Sequence, residues 1–169
     1  MKNIILIRHA KSSWDYPDKD DFERPLNNRG EKDAPEMGKR LKARKLTPDV
    51  VLTSPAIRAF STCKVITRIL GVDPTKIISD KRLYHATEDT LLKVIRELKN
   101  HPKDDEENIL LFGHNPGLTD FANRLMNGNI ENIPTCGIVA ITLSIKKWSD
   151  AEWDRGEMVF FDFPKSLKD

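Results

Sequence analysis

Uninterrupted aliphatic runs alternate along this chain with segments whose apolar residues recur every three or four positions. Ile4-Ile5-Leu6-Ile7 reads as a strand apolar on both faces, as in the interior of a parallel sheet. The run stops at Arg8 and His9, which a buried strand interior does not accept. At the carboxyl end of a central strand, such a pair stands where open α/β sheets place their ligand sites. An ordinary loop has the same local spacing, so the distinction rests on the rest of the chain.

Residues 14–28 are polar, carry two prolines and keep no period, which predicts a loop over the end of that strand. Its acidic residues, Asp18, Asp20, Asp21 and Glu23, read as solvated surface. Asn27 suits a helix N-cap, and Ala34, Met37, Gly38 and Leu41 then mark one face of a helix running to about Leu46. Pro35 predicts a kink or a separate first turn.

Residues 49–53 are a second buried strand. Ser54 and Pro55 suit the N-cap and first position of a helix. Ala59, Phe60, Cys63, Ile66 and Leu70 form its inner face, with Gly71 as its stop. Residues 76–79 predict an edge strand, and Leu91, Val94, Ile95 and Leu98 a further amphipathic helix. Residues 101–107 read as a solvated loop.

Residues 108–112 are the third buried strand, delivering His114. Asn115 and Pro116 again resemble a helix start, and Leu118, Phe121, Ala122, Leu125 and Met126 follow at helical spacing up to Gly128. Strands over residues 138–145 and 157–163 complete the pattern. The alternation predicts an α/β three-layer sandwich, a mostly parallel central sheet flanked by helices, as a single domain over residues 1–169. The carboxyl ends of the parallel strands then share one sheet edge. That edge gathers Arg8 and His9, residues 54–58 and His114.

Composition narrows the function classes. Lys and Arg number 28 against 26 Asp and Glu, a net charge of +2, too balanced to argue for nucleic-acid or membrane partners. The two cysteines, Cys63 and Cys136, lack the spacing of a disulfide framework or zinc ribbon. Cys63 reads as a small core residue, and Cys136 lies near the expected pocket with nothing marking it as reactive. No run approaches the roughly 20 apolar residues of a membrane span, and the first apolar run is too short for a signal peptide. A cytoplasmic setting is expected.

Two arginines and two histidines at one edge suit a small, multiply charged anion. Guanidinium forks match phosphoryl oxygens in charge and geometry, and they stabilise the charge that spreads over a transferring phosphoryl group. Histidine serves as a nucleophile only while its attacking nitrogen is unprotonated. Neighbouring arginines push its pKa in that direction, and a hydrogen bond from the other ring nitrogen, to a loop carbonyl for example, fixes the tautomer.

These residues resemble the histidine phosphatase superfamily, the phosphoglycerate-mutase-like fold. Its Arg-His-Gly strand end appears as Arg8-His9-Ala10, its second arginine in Ser54-Pro55-Ala56-Ile57-Arg58 with Thr62 beyond, and its second histidine in Gly113-His114. Arg24-Pro25-Leu26 ahead of Gly30, and Leu83-Tyr84-His85-Ala86, look most like the SixA-type phosphohistidine phosphatases. Ala10 departs from the usual glycine, a small change that such a site tolerates.

The resemblance implies a phosphatase in which His9 accepts the phosphoryl group, while Arg8, Arg58 and His114 hold its oxygens. No metal or cofactor is needed, and the substrate is a phosphorylated protein or a small phosphorylated metabolite. Lys11 and Arg24 are candidates for substrate recognition at the pocket mouth. Glu88 is the candidate general acid, with Asp89 and His85 behind it. Lack of a strong acid suits a phosphohistidine substrate, whose imidazole departs more readily than an alkoxide. The alternative is a phosphate- or phosphoprotein-binding module without turnover.

Overall fold

A computed structural model describes residues 1–99 and 107–167. Its strands are β1 Lys2–Arg8, β2 Val50–Thr53, β3 Ile77–Ser79, β4 Glu107–Gly113, β5 Ile138–Leu143 and β6 Gly156–Asp162. They form one six-stranded sheet in the order β3-β2-β4-β1-β5-β6. The β3, β2, β4 and β1 pairings are parallel, and β5 runs antiparallel to both β1 and β6. The mostly parallel sheet of the sequence reading is therefore the observed one, with β5 reversed inside it.

The helices are α1 Asn28–Ala43, α2 Ile57–Leu70, α3 Glu88–Arg96 and α4 Gly117–Met126. Successive side chains of a strand point to opposite faces, so β1 feeds two cores. Ile5 and Ile7 pack with Ala34, Met37, Leu41, Cys63 and Ile66 of α1 and α2. Ile4 and Leu6 pack with Leu91, Ile95, Phe121 and Leu125 of α3 and α4. None of these four β1 residues exceeds 1% exposure, and each contributes roughly 1.5–3 kcal/mol of burial. A double-sided core of this kind explains why β1 is a continuous aliphatic run rather than an alternating one.

Several boundaries differ from expectation. α1 is a single helix through Pro35, with neither a break nor a separate first turn. Packing against α2 outweighs the hydrogen bond lost at the proline, helped by Gly38, where a Cβ would stand only 3.0 Å from Ile69 Cδ1. α2 starts at Ile57 with Ala56 as N-cap, because the Ser54 hydroxyl is used otherwise: it accepts from Ala56 N–H at 3.2 Å and faces His114. α4 starts after a cis Asn115–Pro116 peptide, yet Asn115 Oδ1 still accepts from Thr119 N–H at 3.3 Å. It ends at Asn127, φ 50°, not at Gly128; asparagine tolerates this left-handed conformation. α2 stops at Gly71, φ 74°, as the sequence predicts.

Glu107, expected in a solvated loop, is instead 2% exposed and begins β4. Its carboxylate pairs with Lys2 Nζ at 3.5 Å and accepts from Trp148 Nε1, which satisfies a charge that burial would otherwise penalise. The remainder of that expected loop, residues 101–106, lies outside the described residues. Among the described residues no helix is long and apolar enough to cross a membrane.

Candidate active site

The register of the parallel strands brings the polar strand ends together. Arg8 is paired with Gly113, and Thr53 with Phe112. Backbone bonds continue past the strands: His9 N–H donates to Gly113 O at 3.1 Å, Ser54 N–H to Phe112 O at 3.0 Å, and Cys136 N–H to His9 O at 3.0 Å. Arg8, His9, Arg58 and His114 line one pocket of about 260 Å³, with Lys11 and Arg24 in the same lining.

His9 is fixed on both sides. Its Nδ1 lies 2.7 Å from Ala10 O, and a carbonyl only accepts, so Nδ1 carries the proton and Nε2 holds the free lone pair. Burial, foremost, pushes its pKa down to about 3; the Ala10 bond opposes this, and the charges of Arg58, Arg8 and Arg24 add to it. Ala10 N–H donates to Thr62 Oγ1 at 2.9 Å, and Thr62 Oγ1 donates to Arg58 O at 2.7 Å. One hydroxyl thus ties the turn carrying His9 to the first turn of α2 carrying Arg58. Ala10 is fully buried, its methyl accommodated in place of the family's glycine.

His114 sits 5.2 Å from His9, ring centre to ring centre. Its Nε2 is 2.8 Å from Ser54 Oγ. With the Ser54 hydroxyl donating to Nε2, neutral His114 carries its hydrogen on Nδ1, the ring atom that has no protein partner. Burial, then the neighbouring His9, Arg58 and His85, lower its pKa to about 2. Arg8 Nε, Arg58 Nε and His114 Nδ1 are buried and have no hydrogen-bond partner in the protein. Buried donors of this kind are rare, and here they belong to residues of a single pocket.

The acidic loop holds the main correction. Asp21 is not solvated surface but part of the pocket lining. Arg58 Nη2 donates to its Oδ2 at 2.9 Å and Arg58 Nη1 to its backbone O at 2.6 Å. Tyr84 OH donates to the same Oδ2 at 2.6 Å, and His85 Nε2 lies 3.1 Å from it. Partial desolvation raises the carboxyl, but the bonds from Tyr84 and Arg58 and the charges of Arg58 and Arg24 hold it well below the usual carboxylate range.

Arg24 is buried, donates to Ser12 Oγ at 2.5 Å and stacks 3.5 Å above the Trp14 ring. Lys11 is exposed. Glu88 is not in the lining: it sits in the first turn of α3 and pairs with Arg124 at 3.3 Å, as does Asp89. The acidic start of α3 is stabilised by the helix dipole and that arginine, which draws both carboxylates away from the pocket. His85 does line it, with φ 53°. Among the described residues, no group of three or more His, Cys, Asp or Glu is arranged to hold a metal ion.

Residues 4–85 match the family model described as "Histidine phosphatase superfamily (branch 1)". An uncharacterized protein of Mycobacterium tuberculosis is 32% identical over 170 residues, which cover 94% of this chain and 100% of that protein. The chain belongs to the histidine phosphatase superfamily, branch 1. A crystal structure assigned as the phosphohistidine phosphatase SixA from Agrobacterium tumefaciens is similar, with TM-score 0.76 and 27% identity over 96% of this chain and 97% of that one. A second, the protein histidine phosphatase SixA complexed with tungstate, gives TM-score 0.80 at 22% identity, covering 98% and 99%; that likeness speaks for the fold. The fold is phosphoglycerate-mutase-like.

The sequence reading missed Asp21, Ser54, Tyr84 and Trp14 as parts of the site. Asp21 had one usable signal, its place three residues before Arg24, within ion-pairing reach on a helical turn. Ser54 had another, because it follows directly on a buried strand whose neighbours deliver His9 and His114.

Proposed function

We propose that the chain is a phosphatase that passes a phosphoryl group through His9, with phosphohistidine in a protein, or a small phosphomonoester, as substrate. The observation that carries this reading is the His9 tautomer: Nδ1 is spent on Ala10 O, leaving Nε2 unprotonated beside three arginines. The Nε2 lone pair attacks phosphorus and forms an N–P bond. The bond from phosphorus to the leaving nitrogen or oxygen breaks, and its electron pair departs with the leaving group, which takes a proton. Water then attacks phospho-His9 and loses a proton to solvent. The Nε2–P bond breaks, releasing inorganic phosphate and free His9.

Arg8, Arg58 and His114 hold the phosphoryl oxygens, the unpaired N–H groups of this set serving as donors where charge develops. Arg24 and Lys11 add positive charge at the mouth. The guanidinium groups of Arg8, Arg24 and Arg58 supply the cationic shell of this scheme, with His114 as a neutral partner. Among the described residues Asp21 is the only carboxylate in the lining, and it is held ionised and so does not serve as a strong proton donor. That favours a leaving group that departs without one, as imidazole does from phosphohistidine.

The test is a hydrolysis screen across phosphohistidine protein, phosphotyrosine, phosphoserine and p-nitrophenyl phosphate, with phosphoenzyme trapped by an acid-free quench. Phosphohistidine is expected to be cleaved fastest, label is expected on His9, and His9→Ala is expected to abolish both. Normal turnover by His9→Ala would overturn the mechanism. A binding module without turnover would retain inorganic phosphate and form no phosphoenzyme.

A further inference from the structure

A carboxylate inside a pocket built for an anion needs a reason. Asp21 stands in the short turn Asp21–Glu23, whose start is capped by Asp20 accepting from Glu23 N–H at 3.1 Å. The two carboxylate oxygens of Asp21 are used unequally. Oδ2 accepts from Arg58 and Tyr84 and meets His85, whereas Oδ1 faces only Arg24 Nε, at 3.5 Å. The side chain is 41% exposed, so a carboxylate anchored by Arg58 and Tyr84 remains accessible in the pocket lining. The rim around it is aromatic: Tyr84 packs edge-on against Phe22 and lies 4.0 Å from the His85 ring, and Trp14 stands 77% exposed in the pocket lining.

Three guanidinium groups attract a phosphoryl dianion. A phosphoryl group held by them brings its leaving group into the pocket that Asp21 also lines. A fixed negative charge there repels a second anionic group on the substrate and attracts an N–H donor or a cation. Lys11 also lines the pocket and is exposed, whereas Asp21 is held in one place by its bonds from Arg58 and Tyr84.

From this arrangement we infer that Asp21 determines specificity, selecting leaving groups that are cationic or present an N–H donor and rejecting those bearing a second anion. The inference rests on the phosphatase reading and names what its site discriminates. An imidazole, the leaving group of phosphohistidine, offers such an N–H to Oδ1.

The experiment compares the unmodified full chain with Asp21→Asn on two matched aryl phosphates, para-(aminomethyl)phenyl phosphate and para-carboxyphenyl phosphate. The intrinsic reactivity of each substrate cancels when the kcat/KM ratio is compared between enzymes. The unmodified enzyme is expected to favour the aminomethyl substrate, and Asp21→Asn to shrink that preference roughly tenfold, the scale of one charge interaction across a partly screened gap. A common loss on both substrates with the ratio unchanged would mean that Asp21 only positions Arg58, and would overturn the inference. The unmodified enzyme supplies a second measurement that needs no variant: raising ionic strength should shrink the same ratio, and a salt-independent ratio would also overturn it. If the unmodified enzyme turns over neither compound but still cleaves phosphohistidine protein, the phosphatase reading stands and this inference, which requires the cationic substrate to be accepted, falls; if it cleaves none of the three, both fall. Turnover without charge preference would remove this inference alone.

Discussion

Asp21 and Arg58 are joined at two points, Arg58 Nη1 to the Asp21 carbonyl at 2.6 Å and Arg58 Nη2 to its carboxylate at 2.9 Å. The guanidinium comes from the first turn of α2, and the aspartate from a loop 37 residues earlier in the chain. The contact therefore fixes the loop over the pocket as well as the arginine within it. It leaves Arg58 Nε as the buried donor without a protein partner.

Arg58→Ala removes that donor and the loop anchor together. Loss of one or two charge-assisted hydrogen bonds costs roughly 1.5–3 kcal/mol each, so kcat/KM is expected to fall at least tenfold to a hundredfold. Arg58→Lys should not restore it, because an ammonium lacks the planar fork. Steady-state kinetics on p-nitrophenyl phosphate checks both, and full rescue by lysine would contradict the forked geometry.

Thr62→Val tests the link between the two halves of the site. The valine keeps the volume but cannot accept from Ala10 N–H or donate to Arg58 O. A buried donor left unmade costs about 1–3 kcal/mol, so denaturant unfolding should report a loss of that order. The kcat for phosphoenzyme formation should fall with it, since both His9 and Arg58 lose their shared brace. Wild-type stability in this variant would remove Thr62 from the account.

Most of the fold was legible because β1 and β4 are buried on both faces and say so in unbroken aliphatic runs. Arg8, His9 and His114 were legible for the same reason: they interrupt those runs at their carboxyl ends. Helix starts were less so. Ser54 and Asn115 carry good capping chemistry, but each also uses its side chain on a partner distant in sequence, His114 and the Ile133 carbonyl, which no local pattern encodes. Asp21 failed for a related reason. Its neighbours Asp18, Asp20 and Glu23 mask it as one of a charged run, and its partners Arg58, Tyr84 and His85 are brought to it only by the tertiary fold.

Both cysteines should be inert in the folded protein. Burial pushes the Cys63 thiol up to about 12, and it raises Cys136 as well. Thiolate is the reactive form, so excess N-ethylmaleimide should leave p-nitrophenyl phosphate hydrolysis intact and label neither cysteine until the chain is unfolded. Rapid labelling of native Cys136, whose backbone N–H is bonded to His9 O, would show that this wall of the pocket opens.

Stability should fall as the medium turns acidic, with a contribution traceable to the pocket. His9 and His114 are buried, at 7% and 5% exposure, with pKa values lowered from 6.5 to about 3 and about 2. Above pH 6.5 neither folded nor unfolded chains protonate them, so they impose no penalty. Below it the unfolded chain takes up protons that the folded chain refuses, and unfolding is favoured by roughly 1.4 kcal/mol per pH unit for each histidine. The loss grows from about pH 6.5 downwards and levels off only near the folded pKa of each group. Urea unfolding at pH 7.5, 6.5, 5.5 and 5.0 measures it, and His114→Asn should flatten the slope by about one proton relative to the unmodified chain. An unchanged slope in that variant would mean that His114 is protonated in the folded state, and that it meets the phosphoryl group as a cation rather than as a neutral donor.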